Sequence, residues 1–201
     1  MSKLASSCLR FLCAFAAILA FACATPQSRP VRVLLETELG PIEIELDSVH
    51  APATTANFLK YVDGGFYSGG MFHRTVTRNP DNQPQNTVKI EVIQGGINPA
   101  RKEADGPPIA LERTNKTGIL HKDGAISMAR AEADTATSDF FICIGDQPEL
   151  DFGGKRNPDG QGFAAFGRVV RGMDVVRKIH RSPAAAQRLT PPIRITSARR
   201  L

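Results

Sequence analysis

The sequence predicts a mainly β domain in which short antiparallel strands close into a barrel with a helix at each end. Short apolar or alternating runs, bounded by Gly, Pro, Asn or Asp, recur along the chain, as is typical of strands joined by turns. Only two stretches of the presumed domain place apolar residues at helical spacing. The chain has 201 residues and no internal repeat, which is enough for one domain with a hydrophobic core.

The strands begin with a predicted hairpin. The stretches 31–37 and 42–46 alternate apolar and polar residues, and Gly40-Pro41 between them is a turn signal. Further strands are predicted at 71–76, 88–94, 124–128, 140–144, 163–170 and 193–198. The polar stretch 78–89 reads as an insertion, either a tolerated surface loop or an added wall of a binding groove.

Two helices are predicted to cap the ends of the barrel. Pro52 stands at a favoured first-turn position, and Gly64-Gly65 ends the apolar periodicity that follows it. This pattern predicts a helix over 52–63. The stretch 172–180 shows the same helical spacing of apolar residues and predicts the second helix.

The first 24 residues have the pattern of a signal peptide. Lys3 and Arg10 are basic, and the apolar run 11–23 ends in small residues. That run is shorter than the roughly 20 residues that a membrane-spanning helix needs. We therefore divide the chain into a signal peptide (1–24), a linker (25–30) and one domain (31–201).

Two processing routes stay open for the signal peptide. Ala22-Cys23-Ala24 is a cleavage site that would release a soluble protein beginning at Thr25. The stretch 19–23 also resembles a bacterial lipobox, which would leave Cys23 lipidated and anchored to a membrane. Either route predicts export to the periplasm or cell envelope.

Composition and motifs exclude several classes of function. Lys and Arg number 25 against 20 acidic residues, and the net charge of +5 forms no basic stripe interleaved with aromatics, so we expect no nucleic-acid partner. The four histidines have no metal-ligand spacing, which predicts no metal site. Phosphate-loop, dinucleotide and nucleophile-elbow motifs do not occur, so no cofactor is expected.

The strongest candidate site lies on two neighbouring strands. Phe72-His73-Arg74 belongs to the first, and Gln94 ends the second just before two glycines. Arg and Gln side chains held side by side offer planar donors to a carbonyl or an amide. Because side chains alternate along a strand, Phe72 and Arg74 are expected on one face and His73, as a packed imidazole, on the other.

Three further motifs indicate a function for the pair of Arg74 and Gln94. They are Ser-Met-Ala-Arg at 127–130, Ser-Asp-Phe-Phe-Ile at 138–142 and Phe-Ala-Ala-Phe-Gly at 163–167. In this order and at these spacings, the five motifs resemble the active-face motifs of the cyclophilin-type peptidyl-prolyl cis-trans isomerases. The resemblance covers about residues 33–197. It implies a closed eight-stranded antiparallel barrel capped by two helices, and an exported bacterial isomerase.

The resemblance implies that Arg74 is the catalytic residue. Twisting an X–Pro bond breaks the amide resonance and returns a lone pair to the prolyl nitrogen. A fixed cation beside that nitrogen binds the twisted state better than the planar one, which is the condition for acceleration. This reaction needs neither a metal nor a cofactor.

The resemblance also implies a set of substrate-binding residues. Phe141 and Phe163 would wall the proline pocket, with Leu150 at its rim and Val92 or Ile93 nearby. The other substrate-binding residues that it implies are Phe72, Gln94, Ala129, Arg130 and Asp139. Gln94 would contact the residue before the proline, and Ala129 and Arg130 would contact an extended peptide through their backbone.

Of the departures from the family pattern, two bear most on activity. Asp139 stands where relatives carry Gln; as an anion it can pair with Arg74, and it would repel a substrate carbonyl. Glu91 stands where relatives often carry a pocket aromatic residue.

We predict a monomeric isomerase that acts on proline-containing polypeptides, unfolded or flexible, outside the cytoplasm. The alternative is a non-catalytic peptide-binding module, either a holdase or an envelope scaffold, and the two departures favour it.

Overall fold

The computed structural model of the protein describes residues 30–201, apart from the side chain of Ala104. The predicted signal peptide, Cys23 and all of the linker except Pro30 lie outside the described residues, so the processing of the N-terminus stays a prediction.

The described part of the chain contains nine strands and three α-helices. The strands are β1 (Val31–Thr37), β2 (Gly40–Leu46), β3 (Met71–Val76), β4 (Val92–Gly96), β5 (Ala125–Met128), β6 (Phe140–Cys143), β7 (Ala164–Arg171), β8 (Ala184–Ala185) and β9 (Arg188–Arg200). The helices are α1 (Pro52–Asp63), α2 (Thr114–Thr117) and α3 (Met173–His180). Short 3₁₀ turns occur at Pro80–Asn82, Pro99–Ala104 and Pro148–Leu150.

Eight of the strands described within residues 30–201 close into a barrel. The strand order is β1-β2-β7-β5-β6-β4-β3-β9, and pairing between β1 and β9 closes the ring. Neighbouring strands are antiparallel throughout, and β8 adds only a two-residue hairpin arm to the start of β9. This confirms the predicted closed eight-stranded barrel, an architecture that leaves no long edge unpaired.

The barrel is filled by aromatic and branched side chains, and two helices cover it. In the core the Phe58 ring of α1 packs 5.1 Å from Tyr67, 5.5 Å from Phe140 and 5.2 Å from Phe166, centroid to centroid. Helix α1 packs on β7 and β9, and α3 packs on β2, β3 and β4. Both helices were predicted, whereas α2 is a single turn that is too short to show apolar periodicity.

A β-bulge in β3 turns Phe72 away from the cavity side of the strand. Phe72 pairs with Gly95 while Arg74 pairs with Gln94, so His73 is the extra residue. Phe72 is fully buried in the barrel core, with its ring 5.7 Å from that of Phe140. The predicted common face of Phe72 and Arg74 is therefore wrong, and Phe72 does not belong with the expected substrate-binding residues.

Candidate active site

The remaining predicted site residues meet in one open cavity of about 500 Å³. It is lined by Arg74, Gln94, Ala129, Arg130, Asp139, Phe141, Leu150 and Phe163, together with residues that the sequence did not single out. They come from β3, β4 and β6 and from the loops on both sides of β6. The folded chain thus brings together every predicted site residue of the domain except Phe72.

One side of the cavity is apolar. The rings of Phe141 and Phe163 pack edge to face, 5.3 Å apart and at 89°. Val92 and Leu150 extend this surface. Of the two β4 residues considered, Val92 lines the cavity and Ile93 points into the barrel core, as alternation along the strand requires. This side can take up a compact apolar ring.

Glu91 lies outside the lining of this cavity. Its carboxylate accepts a hydrogen bond from Nε of Arg78 at 3.0 Å, and its backbone N–H donates to the side chain of Gln147. The adjacent Val92 takes the place beside Phe141. Glu91 therefore does not place a carboxylate in the pocket.

Arg74 is held between two amide oxygens. Its Nε and Nη2 donate to Oε1 of Gln187 at 2.8 and 2.5 Å, and its Nη1 donates to Oε1 of Gln94 at 2.9 Å. Burial lowers the pKa of Arg74 below its usual value, but a guanidinium keeps its charge throughout the physiological range. The result is a fixed cation at the edge of an apolar cavity.

Asp139 acts on Arg74 through Gln94. Nε2 of Gln94 donates to Oδ2 of Asp139 at 3.1 Å, while Oε1 of Gln94 accepts from Arg74. With a donor on one side and an acceptor on the other, the amide of Gln94 has only one satisfactory orientation. Asp139 forms no ion pair with Arg74 among the described residues, and Nε2 of His73 lies 3.7 Å from its Oδ2. His73 therefore lies beside the site and is not packed away behind it.

Gln187 was missed by the sequence analysis. It lies at the turn between β8 and β9, far from Arg74 in sequence, and nothing marks it among small and polar neighbours. Its Nε2 donates to the carbonyl of Asn82 at 2.6 Å, and its own carbonyl accepts from the Thr75 N–H at 2.8 Å. Asn82 returns a bond from Nδ2 to the carbonyl of Ala186 at 2.6 Å. Gln187 is thus itself held in place.

No side chain of the insertion 78–89 lines the cavity. The insertion instead supports the cavity from outside. Gln83 is fully buried, and its Nε2 donates to the carbonyls of Thr77 and Ile90 at 2.7 and 2.9 Å. Its Oε1 accepts from Nη1 of Arg156 at 2.9 Å. Arg156 does line the cavity, so the insertion builds the wall through a residue of another loop.

Arg130 holds the loop that carries Phe163. Its two Nη atoms donate to the carboxylate of Asp159 at 2.8 and 3.0 Å, and its Nε donates to the carbonyl of Gly162 at 2.8 Å. Its guanidinium carbon lies 5.0 Å from the ring centre of Phe163. The side chain of Arg130 is only 1% exposed, so the predicted contact with a peptide through the backbone of Arg130 stays a prediction that this burial favours.

A buried polar chain lies behind Phe141. Nδ1 of His121 is 2.7 Å from Oδ1 of Asp151, and Nε2 of His121 is 3.0 Å from Oγ of Ser127. This connectivity is that of a hydrolytic triad, but Ser127 is fully buried and has no access to a substrate. The His121 ring stacks 5.9 Å from that of Phe141 at 14°. The hydrogen-bonded His121 therefore positions the ring of Phe141, which forms part of the aromatic wall of the cavity.

Residues 30–201 contain neither a cluster of metal ligands nor a helix that could cross a membrane. No group of three or more His, Cys, Asp or Glu side chains in this range is arranged to hold a metal ion. No helix of this range combines the length and apolar character needed to cross a membrane.

Comparisons with known proteins agree on one family. The family model "Cyclophilin type peptidyl-prolyl cis-trans isomerase/CLD" matches residues 32–200. Peptidyl-prolyl cis-trans isomerase A of Dickeya dadantii is 39% identical over 163 residues, which cover 80% of this chain and 76% of the relative. Peptidyl-prolyl cis-trans isomerase B of Escherichia coli is 38% identical over 149 residues, 73% of this chain and 82% of the relative.

A solved structure has the same fold. The crystal structure of a cyclophilin-type peptidyl-prolyl cis-trans isomerase from Cryptosporidium parvum superposes with a TM-score of 0.68 at 20% identity. The match covers 86% of this chain and 98% of the other.

Proposed function

Because this chain belongs to the cyclophilin-type peptidyl-prolyl cis-trans isomerases, we propose that Arg74 promotes the rotation of X–Pro bonds bound in the cavity it lines. The chain is a peptidyl-prolyl cis-trans isomerase, and its substrates are proline-containing polypeptides. We propose roles for individual residues below. We also propose that the protein acts as a monomer on exported chains, either as a soluble protein or anchored through a lipid on Cys23.

The reaction needs stabilisation of a twisted amide. The planar X–Pro bond exchanges in tens to hundreds of seconds without a catalyst, because resonance opposes the rotation. In the twisted state the prolyl nitrogen regains its lone pair and becomes a hydrogen-bond acceptor. The planar amide is the more polar of the two states, so an apolar pocket also favours the twisted one.

One observation carries the assignment of Arg74: its guanidinium is fixed by Gln187 and Gln94 beside the Phe141–Phe163 wall. These contacts use three of its five N–H groups, which leaves one on Nη1 and one on Nη2 for a substrate. A charge-assisted hydrogen bond that forms fully only in the twisted state is worth roughly tenfold to a hundredfold in rate. Exclusion of water by the aromatic wall adds to this.

Asp139 tunes this arrangement. We expect Asp139→Asn and Asp139→Gln to raise kcat/KM about two- to fivefold, the size of effect that a partly exposed charge exerts. Each amide still accepts a hydrogen bond from Gln94, but it no longer offsets the charge of Arg74 or repels a substrate carbonyl. A proline-isomerisation assay at neutral pH and at two salt concentrations measures the change.

Three other results of that assay have different meanings. Equal kcat/KM values for wild type and both variants would place Asp139 outside the catalytic arrangement. A large loss would show that the carboxylate is needed to orient Gln94. A wild-type protein that leaves the exchange rate unchanged would contradict the function itself.

The protein is proposed to act outside the cytoplasm, on exported chains. Support comes from the basic start and the apolar run 11–23, which are typical of a signal peptide. We expect the mature protein to lack its first 22 to 24 residues. Intact-mass measurement of protein from the native envelope fraction distinguishes an unmodified start at Thr25 from a mass increase on Cys23. A Cys23→Ser variant is the control for lipidation, and a retained Met1 would contradict both routes.

A further inference from the structure

Three arginines line the cavity, and one of them, Arg156, has no part in the isomerase mechanism. Arg156, in the loop between β6 and β7, lines the cavity together with Arg74. Burial and the nearby charge of Arg74 lower the pKa of Arg156. Two cations that repel each other and are partly removed from water therefore face the same space.

Arg156 is held rigidly on one side only. Its Nη1 donates to Oε1 of Gln83 at 2.9 Å and to the carbonyl of Val88 at 2.7 Å. Gln83 is fully buried and bonded to two backbone carbonyls, so this anchor cannot move freely. Among residues 30–201, Nε and Nη2 of Arg156 have no hydrogen-bond partner, which leaves a planar pair of donors available.

Among the described residues, the acids of the cavity form no ion pair with Arg156. Asp105 accepts hydrogen bonds from the hydroxyls of Tyr61 and Thr137 at 3.0 and 3.1 Å, and Asp139 accepts from Gln94. Within the described part of the chain, neither Arg74 nor Arg156 forms an ion pair. A partly desolvated charge without a counter-charge costs free energy, which a bound anion would offset.

We propose that Arg156 forms a subsite for a carboxylate next to the proline, so that the enzyme prefers X–Pro sequences flanked by an acidic residue. This proposal rests on the proposed role of the cavity in binding the prolyl peptide. Arg156 binds the carboxylate through Nε and Nη2, in the paired geometry that a guanidinium offers to a carboxylate. Arg156 is thus a specificity-determining residue.

Three blocked peptides test the preference. All three contain the tripeptide Ala-Pro-Ala. The first carries Gln on both sides of it, the second carries Glu in place of the Gln before it, and the third carries Glu in place of the Gln after it. NMR titration of the full protein gives Kd, and NMR exchange spectroscopy gives the isomerisation rate. We expect one of the Glu peptides to bind about threefold to tenfold more tightly than the Gln peptide at 50 mM NaCl, the range of a partly screened charged hydrogen bond. The preferred Glu position shows on which side of the proline the carboxylate lies.

Salt and variants separate the subsite from general charge attraction. The wild-type preference should shrink at 500 mM NaCl, because the site is open to solvent. Arg156→Gln should bring the ratio of the two Kd values close to one, and Arg156→Lys should restore part of it. Arg171→Gln is the matched control, because this arginine on β7 has an 83% exposed side chain and lies outside the cavity.

The outcomes are distinguishable. Equal binding of the Gln and Glu peptides by the wild type would overturn the subsite, and so would a preference that persists in Arg156→Gln. Arg156→Lys, which keeps the charge but loses the planar pair of donors, tests the subsite even if Arg156→Gln does not fold. If the neutral peptide is isomerised without any acidic preference, only the subsite fails. If no peptide is bound or isomerised, the proposed function fails with it.

Discussion

Replacement of Arg74 by Ala should lower kcat/KM roughly tenfold to a hundredfold, the value of the charge-assisted hydrogen bonds that a twisted X–Pro bond would lose. The barrel should survive, because Gln94 lines this cavity and Gln187 lines an adjoining open cavity, so water can replace the guanidinium at both. Arg74→Lys should also be impaired, since a point charge cannot contact both amide oxygens and the substrate in one plane.

An isomerisation assay combined with thermal unfolding tests this prediction. Arg199→Ala is a matched control, because it removes an exposed arginine from β9 outside the cavity. We expect this control to retain wild-type kcat/KM. A folded Arg74→Ala protein with unchanged kcat/KM would remove Arg74 from the catalytic role.

Gln187→Leu should have the next largest effect, a loss of about tenfold in kcat/KM, because a mobile guanidinium must be oriented again in every turnover. Gln187 accepts two of the three hydrogen bonds of Arg74 but does not line the cavity that contains Phe141 and Phe163. It is a positioning residue, so the loss should appear mainly in kcat and much less in KM.

The spectroscopic signature of Arg74 separates positioning from simple destabilisation. In wild type the Nε–H of Arg74 is hydrogen-bonded, and its NMR signal should exchange slowly with water; Gln187→Leu should abolish that protection. The double variant should be no less active than Arg74→Ala, since both changes act through one guanidinium. Gln85→Leu, an exposed position of the insertion, is the control. Additive losses in the double variant would argue against this coupling.

Much of the fold was predictable because its signals are local. Helix α1 begins at Pro52 and ends before Gly64, as the sequence indicates, and the bounds of β3 also match. Strand β9 begins five residues earlier than predicted. Pro191 and Pro192, which precede the predicted strand, are exposed within β9, where missing backbone donors are tolerated.

The errors at the candidate site have a common physical origin. The bulge at His73 depends on the register between β3 and β4, which cannot be read from β3 alone. The hydrogen bonds from Arg74 to Gln187 join residues that lie far apart in the chain. The motifs identified the side chains that line the cavity, whereas the residues that fix their orientation became visible only through the fold.

The pairing of β1 with β9 has a consequence for the order in which the molecule can mature. One edge of β1 pairs with β2, which follows it directly, but the other edge pairs with the last strand, for example Leu34 opposite Arg199. In a nascent chain on the ribosome, this second edge stays unpaired until synthesis is nearly complete. Contacts so distant in sequence belong to a high contact order, which slows folding. The protein should therefore remain long enough in an open form to be handed to other cellular machinery before its barrel closes.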